Sequence, residues 1–190
     1  MMTRVTFPKL VFFDLDGTLI EPIDFERIKR IVCIEGPVLE KIQDDQEKLK
    51  ILIDFEIDHA KKAKLMPHAK DVLEKLKEFK VKRVLITRNC LDSVKIICRR
   101  FKIDFDYIVT REMGNYKPSP YHIIRVMSYF GFDECECLIV GDHYFDLLAG
   151  KRAGIKTALL LNGYNTRMME YASYADFIFR SLRDLLRCLK

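Results

Sequence analysis

Six residues of this chain have types suited to metal and phosphate chemistry: Asp14, Asp16, Thr87, Lys117, Asp142 and Asp146. Asp14 and Asp16 close an apolar run in the stretch Asp14-Leu15-Asp16-Gly17-Thr18. Residues two apart on a strand point the same way. Two such carboxylates repel, and each resists ionising unless a positive group intervenes. A hard divalent cation with oxygen ligands, Mg²⁺ in particular, removes that conflict. Asp, Gly and Thr are also common turn residues, so the stretch taken alone equally describes a solvated strand end.

The elements around these residues decide between the two readings. Leu10 to Phe13 reads as a strand buried on both faces, as in a parallel sheet. Val81 to Thr87, Tyr107 to Thr110, Cys137 to Gly141, Ile155 to Leu161 and Phe177 to Phe179 read as further strands. Helical spacing appears between them, from Asp71 to Phe79, around Val94 to Phe101, from Ile123 to Phe130 and from Leu147 to Ala153. Asp92 or Ser93 is the expected cap of the second of these helices. Ser119 is the expected cap of the third, with Pro120 as its first residue and Gly131 at its end. A helix over Leu182 to Leu189 closes the chain. Strands alternating with helices predict an α/β fold, a doubly wound parallel sheet covered on both faces.

Residues 20–65 break this rhythm with helical periods and no strand, predicting a small all-helical cap. The core is then 1–19 and 66–190. Asp44-Asp45 in the cap reads as a solvated turn or helix face, and His59 as an exposed or partly packed helix residue. In a parallel sheet the strand ends share one edge, where open α/β sheets bind ligands. Asp14, Asp16, Thr87, Lys117, Asp142 and Asp146 therefore converge, a mixture that fits a metal ion beside a phosphate.

Composition narrows the class. At 190 residues and 49% hydrophobic, the chain has enough apolar material for a real core. Its six cysteines include no C-x-x-C pair, which predicts reduced packing thiols and a cytoplasmic protein. No apolar run is long enough for a membrane span. The net charge of +5 lies in short clusters, Lys61-Lys62-Ala63-Lys64 and Arg99-Arg100, without interleaved aromatics. They read as solvated faces, not a nucleic-acid surface, and a mild positive field suits an anionic substrate.

With Asp14-Leu15-Asp16-Gly17-Thr18, Leu85-Ile86-Thr87-Arg88-Asn89, Tyr116-Lys117-Pro118-Ser119-Pro120 and Gly141-Asp142-His143-Tyr144-Phe145-Asp146 in this order, the chain resembles the haloacid dehalogenase superfamily of phosphohydrolases. Within it the chain looks like the phosphoglycolate-phosphatase branch, whose helical cap lies between the first two motifs. The resemblance implies a Mg²⁺-dependent phosphatase working through an aspartyl-phosphate on a small phosphorylated metabolite, phosphoglycolate-like or a sugar phosphate. It implies Asp14 as nucleophile and Asp16 as general acid and base. Thr87, Arg88 and Lys117 are implied phosphate binders. Asp14, Asp16, Asp142 and Asp146 are implied metal ligands, Asp16 through its backbone carbonyl. The chain departs from the branch in its short cap, expected to leave the site open or to be completed by a partner, and in His143, where relatives often carry a small hydroxyl residue. A phosphomutase of the same branch, or a non-catalytic binding protein on the same fold, are the alternative readings. A phosphonatase would need an imine-forming cap lysine, for which Lys29, Lys41 and Lys50 are candidates. A monomer or homodimer is expected.

Overall fold

A computed structural model describes residues 8–187. Six strands form one parallel sheet: β1 (Leu10–Phe13), β2 (Lys82–Ile86), β3 (Tyr107–Val109), β4 (Cys137–Gly141), β5 (Lys156–Leu160) and β6 (Phe177–Phe179). Their spatial order is β3-β2-β1-β4-β5-β6. The winding direction reverses between β1 and β4, which makes a crevice at their carboxyl ends. Phe13 sits level with Leu85 of β2 and Val140 of β4. Residues 14, 87 and 142 therefore emerge close together.

Alternation along β1 explains the layers. Leu10 and Phe12 pack against Ile123, Val126 and Met127 of α6 (Tyr121–Phe130) and Ala149 of α7 (Tyr144–Arg152). Val11 and Phe13 face the other way. They meet Val72, Leu73 and Leu76 of α4 (Ala69–Glu78), Val94 and Ile97 of α5 (Leu91–Phe101), and Leu185 of α8 (Arg183–Arg187). All four β1 side chains are buried, and each such large apolar side chain contributes about 1.5–3 kcal/mol relative to exposure.

Between β1 and α4 lie α1 (Phe25–Val32), α2 (Val38–Ile42) and α3 (Gln46–Lys62). Ile23, Ile28, Val32, Val38, Leu39, Ile42 and Leu52 form their own apolar cluster. The two chain crossings run side by side, with Glu21 N donating to Lys64 O (2.9 Å) and Met66 N to Leu19 O (2.9 Å). The far end of α3 joins the main core through Ala60 and Ala63. Arg100 of α5 donates to the Ala60 and Ala63 carbonyls there. The cap is thus partly fused to the core along α3. Asp45 caps that helix by accepting from Lys48 N (3.1 Å), the role that the Asp44-Asp45 turn takes.

Several local expectations shift. α5 begins after Cys90, and neither Asp92 nor Ser93 caps it. Its first amides are instead satisfied from a distance, by Glu56 on Cys90 N (2.9 Å) and Glu112 on Leu91 N (2.9 Å). α6 starts at Tyr121, one residue later than Pro120, although Ser119 Oγ does accept from Tyr121 N (3.3 Å). Gly131 ends α6 in the left-handed region, as expected. α7 starts three residues before Leu147, because His143 and Asp146 form a capping box. Thr166–Tyr174 is a 3₁₀ segment. Cys188 and Leu189 lie outside the described residues. Cys90 and Cys137 are buried packing residues, whereas Cys33 and Cys135 lie exposed. No helix among the described residues is long and apolar enough to cross a membrane.

Candidate active site

Lys117 is the pivot of the crevice. Its side chain is only 2% exposed, and its Nζ lies 2.5 Å from both Asp14 Oδ1 and Asp146 Oδ1. Asp146 reaches this position from the first turn of α7, where its other oxygen accepts from His143 N (3.1 Å). Gly141 leaves room for that fold-back, since a Cβ there would lie 2.3 Å from the Asp146 carboxyl carbon. Asp142 is oriented from β5's end: Asn162 Nδ2 donates to its Oδ2 (2.9 Å) and Asn165 Nδ2 to its carbonyl (2.7 Å). Asn162 also donates to Gly17 O (2.7 Å), tying the loop after β1 to the same point. Gly17 has φ +73°, and a Cβ there would sit 2.1 Å from Asp142 Oδ2.

Carboxylate oxygens of Asp14, Asp142 and Asp146 all lie within 4.8 Å of one another. Burial pushes the Asp14 carboxyl up to about 6, with Lys117 pulling against it and Asp146 adding to it. Burial, then Asp14 and Asp146, hold Asp142 well above the ordinary carboxylate range. Burial works to lower the Lys117 ammonium, but Asp14 and Asp146 outweigh it and leave it raised. One lysine thus faces three converging carboxylates, and Asp142 in particular resists ionising. An all-oxygen donor set with surplus negative charge fits a hard divalent cation such as Mg²⁺.

The Asp16 carboxyl stands apart from that group, turned toward the cap. Burial, then the Asp14 and Glu56 carboxylates, push it well above the ordinary range. Thr87 and Asn89 are buried beside it at the end of β2, and Thr87 Oγ1 accepts from Asn89 N (3.2 Å). Arg88 lines the same cavity but is spoken for in this arrangement. Its Nη2 lies 2.6 Å from Glu40 Oε2 of the cap, and its guanidinium packs over Phe145 (4.6 Å) and Tyr116 (5.0 Å). Tyr116 in turn donates to Gln43 Oε1 (2.6 Å). His143 caps α7, its Nδ1 accepting from Phe145 N (3.2 Å), and burial lowers its pKa.

Residues of the cap and the core line one open cavity of about 500 Å³. Its floor carries Asp14, Asp16, Thr87, Lys117, Asp142 and Asp146, and its roof is largely apolar, with Phe25, Val38, Leu39 and Leu52. The cap thus lines one side of the site, and the cavity still opens to solvent. Of the candidate imine-forming lysines Lys29, Lys41 and Lys50, Lys29 alone lines the cavity, and it pairs with Glu26 (2.6 Å).

Glu56 and Arg111 carry no sequence signal, yet both line the cavity. Glu56 is 2% exposed and pairs with Arg111 through both guanidinium nitrogens (2.6 and 3.0 Å). In the sequence Glu56 is one acid among many on a charged helix. Asn162 is findable by the same strand-end logic that picks Thr87, because it lies two residues beyond β5.

A sequence profile of haloacid dehalogenase-like hydrolases matches residues 36–160. The pyrophosphatase PpaX of Halalkalibacterium halodurans is 30% identical over 93% of this chain and 94% of its own. Phosphoglycolate phosphatase 1 of Pseudomonas aeruginosa is 27% identical over 95% of this chain and 79% of its own. Among solved structures, CbbY of Rhodobacter sphaeroides in complex with phosphate superposes with a TM-score of 0.77 at 20% identity, covering 96% of this chain and 99% of the other.

Proposed function

This chain belongs to the haloacid dehalogenase-like hydrolases and is a phosphatase related to phosphoglycolate phosphatases and PpaX pyrophosphatases; from that premise we propose that it hydrolyses a small phosphorylated metabolite with Mg²⁺, through an aspartyl-phosphate on Asp14. The observation that carries this reading is the buried Asp14–Lys117–Asp146 triad, 2.5 Å on each side, at the switch point of the sheet beside Asp142.

Asp14, Asp142 and Asp146 would hold the ion, with the Asp16 carbonyl as a further family-implied ligand. When bound, Mg²⁺ shields Asp14 from the substrate's negative charge and neutralises charge on the transferring group. An Asp14 oxygen forms a bond to phosphorus while the bond to the leaving oxygen breaks. Its carboxylate, 2.5 Å from the Lys117 ammonium that favours the charged form, is available for that attack. The Asp16 carboxyl, held well above the ordinary range, carries the proton that the leaving oxygen takes. The resulting Asp16 carboxylate then draws a proton from water as that water attacks phosphorus. The bond to Asp14 breaks and inorganic phosphate leaves. Lys117 and Thr87 hold phosphate oxygens, and Arg88 becomes available to the substrate when its pair with Glu40 opens.

Phosphate release from p-nitrophenyl phosphate, with Mg²⁺ and with excess chelator, tests this. Release that chelator abolishes and Mg²⁺ restores supports the reading; release indifferent to chelator overturns the metal assignment. Gly17→Ala probes the loop that joins Asp16 to Asp142. A left-handed alanine costs about 1–2 kcal/mol, and the collision with Asp142 displaces the carboxylates. Misplacement on the order of 1 Å costs about 10²-fold in rate, so kcat is expected to fall by that much with a modest drop in Tm. Unchanged kcat would show that Asp142 relaxes freely.

A further inference from the structure

The cap helix α3 brings one more side chain to the reacting centre. His59 Nε2 lies 2.8 Å from Glu21 O and 3.5 Å from Asp16 Oδ1. The Glu21 carbonyl can only accept, so Nε2 carries the ring proton. Asp16 Oδ1 is buried and has no hydrogen-bond partner among the described residues. An orphaned buried carboxyl oxygen is costly and calls for an explanation. His59 is the donor facing it, short of a normal bond by about 0.5 Å.

We propose that His59 is a positioning residue for Asp16: its Nε2–H, shared between Glu21 O and Asp16 Oδ1, turns the Asp16 carboxyl to present its proton to the leaving oxygen. This rests on the phosphatase reading above and deepens it. The device couples the cap to the chemistry. Glu21 belongs to one of the two chain crossings, and its N–H is bonded to Lys64 O in the other. His59 lies one turn before Lys62, where α3 ends, and Arg100 anchors that end to α5. Three residues earlier on the same helix, Glu56 is fixed by Arg111 and Cys90 N. A small displacement of α3 that follows substrate under the roof closes the gap to Oδ1. Oδ1 of Asp16 is then held by His59, while the Asn89 side chain hydrogen-bonds the same carboxyl from the core at the cavity wall. His59 touches no substrate in this scheme and acts only through Asp16.

The test uses leaving groups of different need. p-Nitrophenyl phosphate departs as a stable anion and needs little protonation, whereas phenyl phosphate needs a general acid. For both, kcat/KM reports the step that forms the aspartyl-phosphate. His59→Leu is expected to lower kcat/KM on phenyl phosphate about tenfold or more, part of the range for general acid catalysis. On p-nitrophenyl phosphate the loss stays below about threefold, and KM is little changed for either ester. His59→Gln places an amide donor where Nε2 was and restores phenyl phosphate turnover to within about threefold of wild type. If the leucine variant does not fold, His59→Asn replaces it, since its shorter amide stops short of Asp16. Equal losses on both esters, no loss on either, or no difference between Gln and Leu or Asn overturns the role of His59. A wild type inactive on both esters overturns the phosphatase reading, and this role with it.

Discussion

Asp14→Asn is expected to abolish phosphate release, by about 10⁴-fold or more, the scale seen when one member of a catalytic unit is removed. The amide has the shape of the carboxyl but cannot form an aspartyl-phosphate. The protein should nevertheless fold well. Asp14 is one of three converging carboxylates, and burial pushes its own carboxyl up to about 6, with Lys117 pulling against it and Asp146 adding to it. Removing that charge relieves crowding and leaves Lys117 its second partner, Asp146. The expected result is therefore a dead enzyme whose Tm without metal is equal to or above that of the wild type. Intact-protein mass after brief exposure to substrate adds a second readout, a phosphoryl adduct in wild type and none in the variant. Substantial turnover by Asp14→Asn would remove Asp14 as nucleophile.

Lys117→Met should damage stability and rate together. The lysine is buried between Asp14 and Asp146, and methionine matches its length without its charge. Removing one partner from a buried ion pair costs about 3–5 kcal/mol, because the remaining charge has no counter-ion. For a chain of this size each kcal/mol shifts Tm by about 2–4 °C. A fall on the order of 10 °C in metal-free buffer is thus expected at neutral pH. The pH dependence follows from sign. Without the lysine, the folded-state carboxyl of Asp14, already raised by burial, rises further, so the folded state holds a proton that the unfolded chain releases. The deficit is then largest above the folded-state pKa of Asp14 and shrinks as pH falls toward the ordinary carboxylate range. Added Mg²⁺ should recover more Tm in the variant than in wild type, since it meets two carboxylates with no competing cation. Phosphate release falls about 10²–10³-fold, the loss expected when a preorganised cationic contact to the transferring group is removed. A Tm unchanged in chelator would mean that the carboxylates are neutral in the folded protein, and would weaken the metal assignment with it.

The sheet was readable because its signals are local. Leu10 to Phe13 and Cys137 to Gly141 are short apolar runs that stop at a polar turn, and only a strand buried on both faces makes such a run. Once the strands are parallel, chain direction alone places Asp14, Thr87 and Asp142 on one edge. Lys117 and Asp146 follow from the loop and helix that the same strands require. Helical period likewise replaces strand pattern between β1 and α4, where α1, α2 and α3 lie. All of this depends on side-chain type and spacing within about ten residues.

What the sequence could not supply is which groups meet across long separations. Local rules offer Asp92 or Ser93 to cap α5, yet Glu56 from the cap and Glu112 from the next loop satisfy its first amides. The buried Glu56 carboxylate must find donors, and the open end of a helix provides them, while Glu112 reaches the next amide from the surface. Asp14 and Asp16 look equivalent on paper, two carboxylates on one strand end. The chain turns at Gly17, and the Asp16 carboxyl leaves the Asp142–Asp146 group for the cap, where His59 and Glu56 wait. Asn162 locks Asp142 from the far end of β5, and Arg88 is held by Glu40 across the cavity. The sequence by itself determined the sheet, its edge and the kinds of group gathered there. Only tertiary structure decided how each carboxylate is partnered, because hydrogen bonds and burial assign charge by distance in space, and distance along the chain does not encode it.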